Sequence, residues 1–382
     1  MRTIYDDIRN PETAEGLKSL LPPAICLAAG GAILGAFHLC KGNQALMNWV
    51  IAHVTTPFKH ALSWLCNPVP FAVAEVLWVL ALAAFLVFLA RWIWLTVRHP
   101  RKLLRLARRA LALASAVVLV YCGYTVLWGI NYYGDNFSNK SGIETRGASV
   151  EELATLTNSF AAKLNELAGE IPRDENGVFA EDLDTIFSET AGLYDGICAE
   201  FPFLDGPERT PKRMVSSPLM SRIDFTGFFF PFTAETLIND DAPACLIPAT
   251  ILHEFAHQRN IAREDECNFV AIIAGLRCDN PVFTYSSALF GFIHLGNALY
   301  SASPETYWQI RETLDSRVEA DLETNDAYWD QFDSTLDQMA KSVSTTVYEG
   351  FLNSYGQSDG KQSYGKCVDL LVAYYFNYRA QS

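Results

Sequence analysis

The chain has 382 residues, of which half are apolar and 19% are charged, and this composition excludes an intrinsically disordered protein. The net charge of −14 excludes a generic nucleic-acid-binding protein, which would be basic. The charge is unevenly distributed, because residues 1–130 carry 12 Lys and Arg against 5 Asp and Glu, whereas the remaining residues carry 17 against 38. A basic, apolar amino-terminal part therefore precedes an acidic, more polar part.

The amino-terminal part has three apolar stretches, each long enough to cross a bilayer as a helix, which takes about 20 apolar residues. The sequence predicts a membrane domain of three transmembrane helices at residues 1–132, with the lipid bilayer as its partner. Gly31 and Gly35 have the small-residue spacing that suits close helix packing in a membrane. A cleaved signal peptide is the alternative for the first stretch. The stretches are Leu21–Cys40, Val69–Ala90 and Ala110–Ile130.

The loop between the second and third stretches indicates the orientation. Because basic loops stay in the cytoplasm, we expect the amino terminus to be cytoplasmic and everything after Tyr132 to be extracytoplasmic. Residues 41–67 fit either an interfacial amphipathic helix or an ordinary extracytoplasmic loop. The loop has no acidic residue, and its basic residues are Arg91, Arg98, Arg101, Lys102, Arg105, Arg108 and Arg109.

Residues 133–382 have mainly helical patterns. Ser149 and Glu152 have the spacing of a capping box and open an amphipathic helix. The aromatic segment Ile223–Thr233 predicts a strand, and Pro231 confines it to an edge or a strand end. Five of the nine cysteines lie in this part, and an odd number without a CxxC motif indicates no disulfide framework. Further helices are predicted at 244–259, 263–276, 282–300, 304–322, 325–343 and 364–378.

One predicted helix contains the sequence His253-Glu254-Phe-Ala-His257. Residues four apart share a helix face, so both imidazoles reach the same ion. A catalytic Zn²⁺ takes three protein ligands and a water, and the Glu of such a motif acts as general base on that water. The sequence therefore predicts His253 and His257 as zinc ligands and Glu254 as the catalytic base.

The third ligand is predicted on the next helix. Asn260 tolerates the left-handed conformation that ends a helix, so a second helix starts near residue 263. Glu264 and Glu266 point about 200° apart on such a helix, and only one of them faces the metal. Glu264 is the preferred ligand and Glu266 the alternate. Asn268 shares the face of Glu264 and would orient a metal ligand by a hydrogen bond.

These motifs resemble the gluzincin metallopeptidases, whose third ligand is a Glu on a following helix in a Glu-xxx-Asp or Glu-xxx-Asn pattern. The seven residues from His257 to Glu264 form a shorter gap than is usual there. The chain also resembles an uncharacterised family of bacterial membrane proteins, a domain-of-unknown-function family, along nearly its full length. That resemblance rests on Phe229–Thr233, His253–Gln258, Ala262–Phe269 and Tyr364–Leu371. Asn260 departs from the family pattern, which usually has Gly at this position.

The resemblance implies a mainly α (α+β) zincin-like domain at residues 133–382, with a small sheet and an edge strand. We expect an integral protein of the bacterial cell membrane whose extracytoplasmic domain is a zinc-dependent metallopeptidase acting on a peptide or protein. The alternatives are a non-catalytic membrane sensor or scaffold with a structural metal site, and a zinc amide hydrolase acting on cell-envelope material.

Two further interpretations remain open at this stage. The strand Gly227–Thr233 either pairs with an extended substrate or is ordinary core. His294, Tyr285 or Tyr300 would stabilise the oxyanion, although a buried structural histidine is the simpler interpretation of His294.

Overall fold

The structure is a computed structural model that describes residues 18–98, 102–355 and 363–379. It is mostly helical, with a small three-stranded sheet. The described residues form two compact units, one within 1–58 and 74–134 and the other within 59–73 and 135–382. The sequence-based division at residue 132 differs from this one, because residues 59–73 belong to the second unit.

The first unit consists of helices, and three of them are long and apolar enough to cross a membrane, as the sequence predicts. The candidate spans are Leu21–Cys40, Val73–Leu95 and Leu106–Leu127. The second starts four residues later than the apolar stretch does. Arg101, in the basic loop, lies outside the described residues. The helical elements of the chain up to Tyr133 are α1 (Leu21–Cys40), α2 (Gln44–Val50), a π-helical turn (Ile51–Thr55), α3 (Thr56–Cys66), α4 (Val73–Arg98), α5 (Lys102–Leu127) and a 3₁₀ turn (Gly129–Tyr133). Of these, α3 belongs to the second unit from Lys59 onward.

Close packing between α1 and α5 occurs at Gly30, not at Gly31 or Gly35. A Cβ atom at Gly30 would lie 2.5 Å from Val118 Cγ1, whereas one at Gly31 or Gly35 would meet no atom of the described residues within 4 Å. The thiol of Cys122 also donates to the Gly30 carbonyl oxygen. The prediction from the Gly31–Gly35 spacing was therefore wrong by one position around the helix.

The second unit contains the sheet, in the order β1-β3-β2, with β1 (Lys212–Arg213) parallel and β2 (Gly227–Phe230) antiparallel to β3 (Glu235–Ile238). An edge strand is present within the predicted segment Ile223–Thr233, but it covers only Gly227–Phe230, and Pro231 directly follows its last residue. The helices are α6 (Phe137–Ser141), α7 (Val150–Leu167), α8 (Leu183–Ser188), α9 (Asp195–Cys198), α10 (Ser217–Arg222), α11 (Ile247–Gln258), α12 (Glu264–Arg277), α13 (Pro281–Ala302), α14 (Pro304–Arg311), α15 (Ser316–Asp330), α16 (Thr335–Ser354) and α17 (Ser363–Val372), which continues as a π-helix (Ala373–Tyr378).

Helices α11, α12 and α13 pack together in the core of this unit, and α7 packs along α13. A Cβ atom at Gly275 of α12 would lie 1.9 Å from Ser287 Oγ of α13 and 2.9 Å from Leu252 Cδ1 of α11, so only glycine allows this approach. The capping box of Ser149 and Glu152 is confirmed at the start of α7. The helix predicted at 304–322 is instead two helices, α14 and α15, and α15 runs to Asp330.

Residues 59–73 are held in the second unit by buried polar contacts. Lys212 donates to the carbonyl oxygens of Cys66 (2.8 Å) and Phe71 (3.0 Å) and pairs with Glu235 at 2.6 Å. The same Glu235 oxygen accepts the backbone N–H of Val73. Lys212 and Glu235 are both buried, so their charges compensate each other away from water. Residues 59–73 are therefore an integral part of the unit that contains α11, the helix with His253 and His257.

Candidate metal centre

Helix α11 presents His253 and His257 on one face, with their ring centroids 4.9 Å apart. The helix ends at Gln258, and two residues later Asn260 has a left-handed φ of 65°, as the sequence predicts. The chain then turns, and α12 begins at Glu264. Because the turn is so short, the first residue of α12 lies directly beside the two histidines.

The carboxylate of Glu264 faces both imidazoles. Its Oε2 atom lies 3.1 Å from His253 Nε2 and 3.7 Å from His257 Nε2. Its Oε1 atom accepts a hydrogen bond of 2.6 Å from the hydroxyl of Tyr348 on α16. Burial raises the pKa of Glu264, but the charges and hydrogen bonds of His257 and His253 outweigh burial and hold it well below its usual value.

The other ring nitrogens are held by oxygen acceptors. His253 Nδ1 lies 2.7 Å from Asn268 Oδ1, and His257 Nδ1 lies 2.8 Å from the carbonyl oxygen of Ile261. An oxygen acceptor at Nδ1 fixes the ring proton there, which leaves the lone pair of a neutral imidazole on Nε2. Glu264 Oε2 therefore lies near both Nε2 atoms. When the imidazoles carry a second proton, on Nε2, the contact is attractive, and this is the state that lowers the pKa of Glu264.

This arrangement suits a cation. Lone pairs and a carboxylate oxygen directed at one another repel unless a proton or a metal ion lies between them. Two ligand atoms of a tetrahedral zinc site, each bound at about 2.0–2.1 Å, lie about 3.3 Å apart. The observed separations of 3.1 and 3.7 Å lie on either side of that value. The distances from Glu264 Oε2 to the two imidazoles are therefore compatible with ligands of one ion.

Cys267 is a second candidate for the third ligand. His253, His257 and Cys267 each offer one ligand atom, and these atoms lie within 4.8 Å of one another. Its Sγ atom, however, lies 3.2 Å from Nδ1 of His257, the nitrogen that already faces Ile261. Burial, together with neighbouring carboxylates such as that of Glu264, raises the pKa of the Cys267 thiol well above its usual value. The sequence interpretation did not include this cysteine.

Glu254 is buried, with 3% of its surface exposed. Its Oε2 atom has no hydrogen-bond partner among the described residues, whereas the backbone N–H of Phe229 donates to the carboxylate. A Cβ atom at Gly227 would lie 3.2 Å from Glu254 Oε1, so the edge strand β2 passes directly over this side chain. Burial raises the pKa of Glu254 to about 8, against the opposing effect of His253.

Glu266, the alternate third ligand, lies away from the histidines. Its Oε2 atom accepts the backbone N–H of Phe137 at 3.0 Å, at the start of α6. The side chain is buried, and burial raises its pKa to about 7. The structure thus brings Glu264, Asn268 and the two histidines together but directs Glu266 elsewhere.

The residues considered for the oxyanion have different surroundings. Tyr285 is fully buried and donates to Asp321, and Tyr300 is half exposed and packs edge-on against Tyr307. His294 is buried, and burial followed by the charge of His253 lowers its pKa to about 4. The tyrosine that reaches the site is Tyr348. Sequence reasoning missed it because it lies 84 residues after Glu264, outside any motif.

The end of α11 is closed by a buried lysine. Lys59 donates to the carbonyl oxygens of His257 (3.1 Å) and Gln258 (3.4 Å), and its ammonium lies 4.5 Å from the ring centroid of Phe229. A cation is favoured at a helix carboxyl terminus, where carbonyl groups lack helical partners. Burial lowers the pKa of Lys59 to about 7.

Residues 53–372 match the family described as "Protein of unknown function (DUF3810)". The chain belongs to this family. Among curated proteins and among solved structures, none matches the chain. The DUF3810 match includes Lys59, both HExxH histidines, Glu264 and Tyr348, and it excludes the first candidate span, Leu21–Cys40. Every side chain of the candidate centre therefore lies within the DUF3810 region.

Proposed function

We propose that this DUF3810 protein is a membrane-anchored, zinc-dependent metallopeptidase. The observation that supports this most is the convergence of His253 Nε2, His257 Nε2 and Glu264 Oε2 beside the buried carboxylate of Glu254. A site with two imidazoles and one carboxylate from the protein leaves a fourth position open, as in catalytic zinc sites.

His253, His257 and Glu264 would hold the ion. Glu264 is preferred over Cys267, because a thiol beside Nδ1 of His257 lies away from the Nε2 atoms that carry the lone pairs. Tyr348 and Asn268 hold Glu264 and His253 in place by hydrogen bonds. When bound, zinc supplies a Lewis acid that lowers the pKa of water toward about 7 and polarises a carbonyl group.

Glu254 is the proposed general base and acid. A cation held by the neighbouring ligands would lower the raised pKa of this carboxyl, because an opposite charge favours the ionised form. Its Oε2 atom, which has no hydrogen-bond partner among the described residues, would then accept a proton from an attacking water. The same oxygen then delivers the proton to the leaving amine nitrogen. A structural metal site needs no such carboxylate, so its presence supports hydrolysis over a purely structural role.

The edge strand favours an extended polypeptide as the substrate. Strand β2 is an edge strand of the sheet formed by the described residues, next to β3, and its Phe229 N–H bonds the Glu254 carboxylate. A polypeptide added along an exposed strand edge gains main-chain hydrogen bonds, and pockets select its side chains. Pairing beside Glu254 would bring a peptide bond to the proposed base.

The proposed location is the cell membrane, with the catalytic unit outside the cytoplasm. Two candidate spans, Val73–Leu95 and Leu106–Leu127, separate residues 59–73 from residues 135–382. A chain that crosses the membrane twice returns to its original side. Residues 59–73 and 135–382 must lie on the same side, because they form one compact unit. The basic loop between these spans assigns the opposite side to the cytoplasm.

The proposal is tested on the full chain, purified in detergent. Elemental analysis measures zinc per chain in the wild type and in His257→Ala, and a fluorescence-quenched casein assay measures hydrolysis in the wild type and in Glu254→Gln. We expect about one zinc per wild-type chain, as three protein ligands imply, loss of zinc in His257→Ala, and loss of hydrolysis with retention of zinc in Glu254→Gln. Zinc without hydrolysis would instead support a structural metal site, and a folded wild type without metal would overturn the proposal.

A further inference from the structure

An apolar groove lies between α16 and the segment that leads into β2. Helix α16 exposes Met339, Val343 and Val347 at 62%, 64% and 67% of their surfaces, a stripe with the four-residue spacing of one helix face. Ile223 and Phe225 line the other wall. The volume of the groove is about 780 Å³, within the range of about 300–1,000 Å³ that is usual for ligand pockets.

The groove is continuous with the proposed active site. Tyr348 lines it and also donates to Glu264 Oε1. The ring of Phe225 packs edge-on against the ring of Tyr348, with centroids 6.1 Å apart. Phe225 is also two residues before Gly227, where β2 begins and passes over Glu254. The groove therefore adjoins both the start of β2 and the carboxylate of Glu264.

The charges that flank the groove are paired with each other. Asp224 lies 4.0 Å from Lys341, and Arg222 lies 3.1 Å from Asp337. Both ion pairs join α16 to the segment of the opposite wall. Among the described residues that line the groove, only Ser344 and Tyr348 have polar side chains. A charged ligand group entering the groove would lose water without gaining a partner, which is unfavourable.

We propose that this groove is the subsite for an apolar side chain of the substrate, so that the enzyme selects polypeptides with an apolar residue near the cleaved bond. The inference rests on the proposed peptidase function and adds the class of residue selected. A large apolar surface left exposed on a folded unit marks a binding site, and here the continuity with Glu264 and β2 identifies the substrate chain as its occupant.

Hydroxamates test the subsite without requiring turnover, because the hydroxamate group chelates zinc while its substituent reports on the groove. The full chain, loaded with zinc in lipid nanodiscs without free detergent, is titrated calorimetrically with acetohydroxamate and with an N-acetyl-leucine hydroxamate. Because the groove would bury the leucine side chain, we expect the leucine compound to bind at least about tenfold more tightly than acetohydroxamate.

Two valine substitutions complete the test. Val343→Asp should remove the preference for the leucine compound while leaving acetohydroxamate affinity within about twofold, the range of a surface change. Val215→Asp is the matched control at a valine that is 90% exposed outside the groove, and it should keep the preference. Acetohydroxamate binding also verifies that each variant is folded.

The outcomes separate the two proposals. Equal wild-type affinity for both hydroxamates would overturn the apolar subsite and leave the zinc site intact. Retention of the full preference in Val343→Asp would overturn it as well. If neither compound binds to the zinc-loaded wild type, the open zinc site itself is wrong, and the subsite fails with it.

Discussion

Lys59 donates a hydrogen bond of 2.7 Å from its ammonium group to the side-chain oxygen of Asn260, 201 positions later in the chain. Asn260 holds the left-handed turn between α11 and α12, the two helices that carry the candidate metal ligands. Lys59 also binds the last carbonyl groups of α11. A residue from the segment between the first two candidate spans thus fixes the turn that brings Glu264 to the histidines.

Replacing Lys59 with Met should lower the stability of the unit. The substitution keeps the length of the side chain but leaves up to three buried or half-buried oxygens without their donor, at a cost of about 1–3 kcal/mol. The melting temperature of the purified full chain, followed by circular dichroism, measures the effect. Lys163→Met is the control, because Lys163 is a partly exposed lysine whose ion pair among the described residues is with Glu166 on the same helix. An equal melting temperature for both variants would contradict a stabilising role of Lys59.

The second unit should not fold without residues 59–73. A chain of residues 135–382 alone leaves Lys212 without its two carbonyl acceptors and removes the Val73 N–H from Glu235. We expect this fragment to be degraded rapidly by trypsin. Fusing residues 59–73 to its amino terminus through a flexible linker should restore resistance. A protease-resistant fragment 135–382 would show that these contacts are dispensable.

Glu264→Gln should lose zinc, whereas Cys267→Ser should retain it. A neutral amide removes the negative charge that compensates the ion but keeps the size of the side chain, and Ser likewise keeps most of the size of Cys. Elemental analysis of both variants, purified in parallel with the wild type, measures the difference. Zinc retained in Glu264→Gln and lost in Cys267→Ser would reverse the assignment and make Cys267 the third ligand.

Local sequence patterns predicted the features that depend on local physics. The capping box at Ser149, the left-handed Asn260 and the edge strand follow from preferences of a few neighbouring residues, and the structure has all three. The three apolar helices follow from composition alone.

Features that depend on distant parts of the chain were not predictable in this way. Tyr348 and Lys59 reach the site from helices with no motif, and only tertiary packing brings them there. The division at residue 132 differs for the same reason, because the pairing of Lys212 with residues 59–73 leaves no local signal. The contact of Gly30, rather than Gly31, with Val118 was also not predictable. The composition of a helix that is apolar on all sides does not show which side faces its neighbour.

Asn268→Ala should weaken zinc binding without abolishing it. Its amide oxygen is hydrogen-bonded to Nδ1 of His253, whose Nε2 atom is the proposed metal ligand. Loss of such a partner lowers metal affinity about 10–100-fold. Titration of the purified chain against a fluorescent zinc chelator measures the affinity. Asn268→Asp keeps an oxygen acceptor and should stay close to the wild type. A positioning role for Asn268 is excluded if the Ala and Asp variants bind zinc equally well.

Reporter fusions should place the second unit outside the cytoplasm. In a bacterial host, alkaline phosphatase fused after residue 382 should be active, because it folds only when exported, and green fluorescent protein fused there should be dark. Fusions after residue 98 should give the opposite pattern, since the positive-inside rule keeps this basic loop in the cytoplasm. Fluorescence from the fusion after residue 382 would invert the proposed orientation. Because residues 59–73 belong to the same unit, a phosphatase fused after Val73 must report the same side as one fused after residue 382. Opposite signals at these two positions would contradict the number of spans between them.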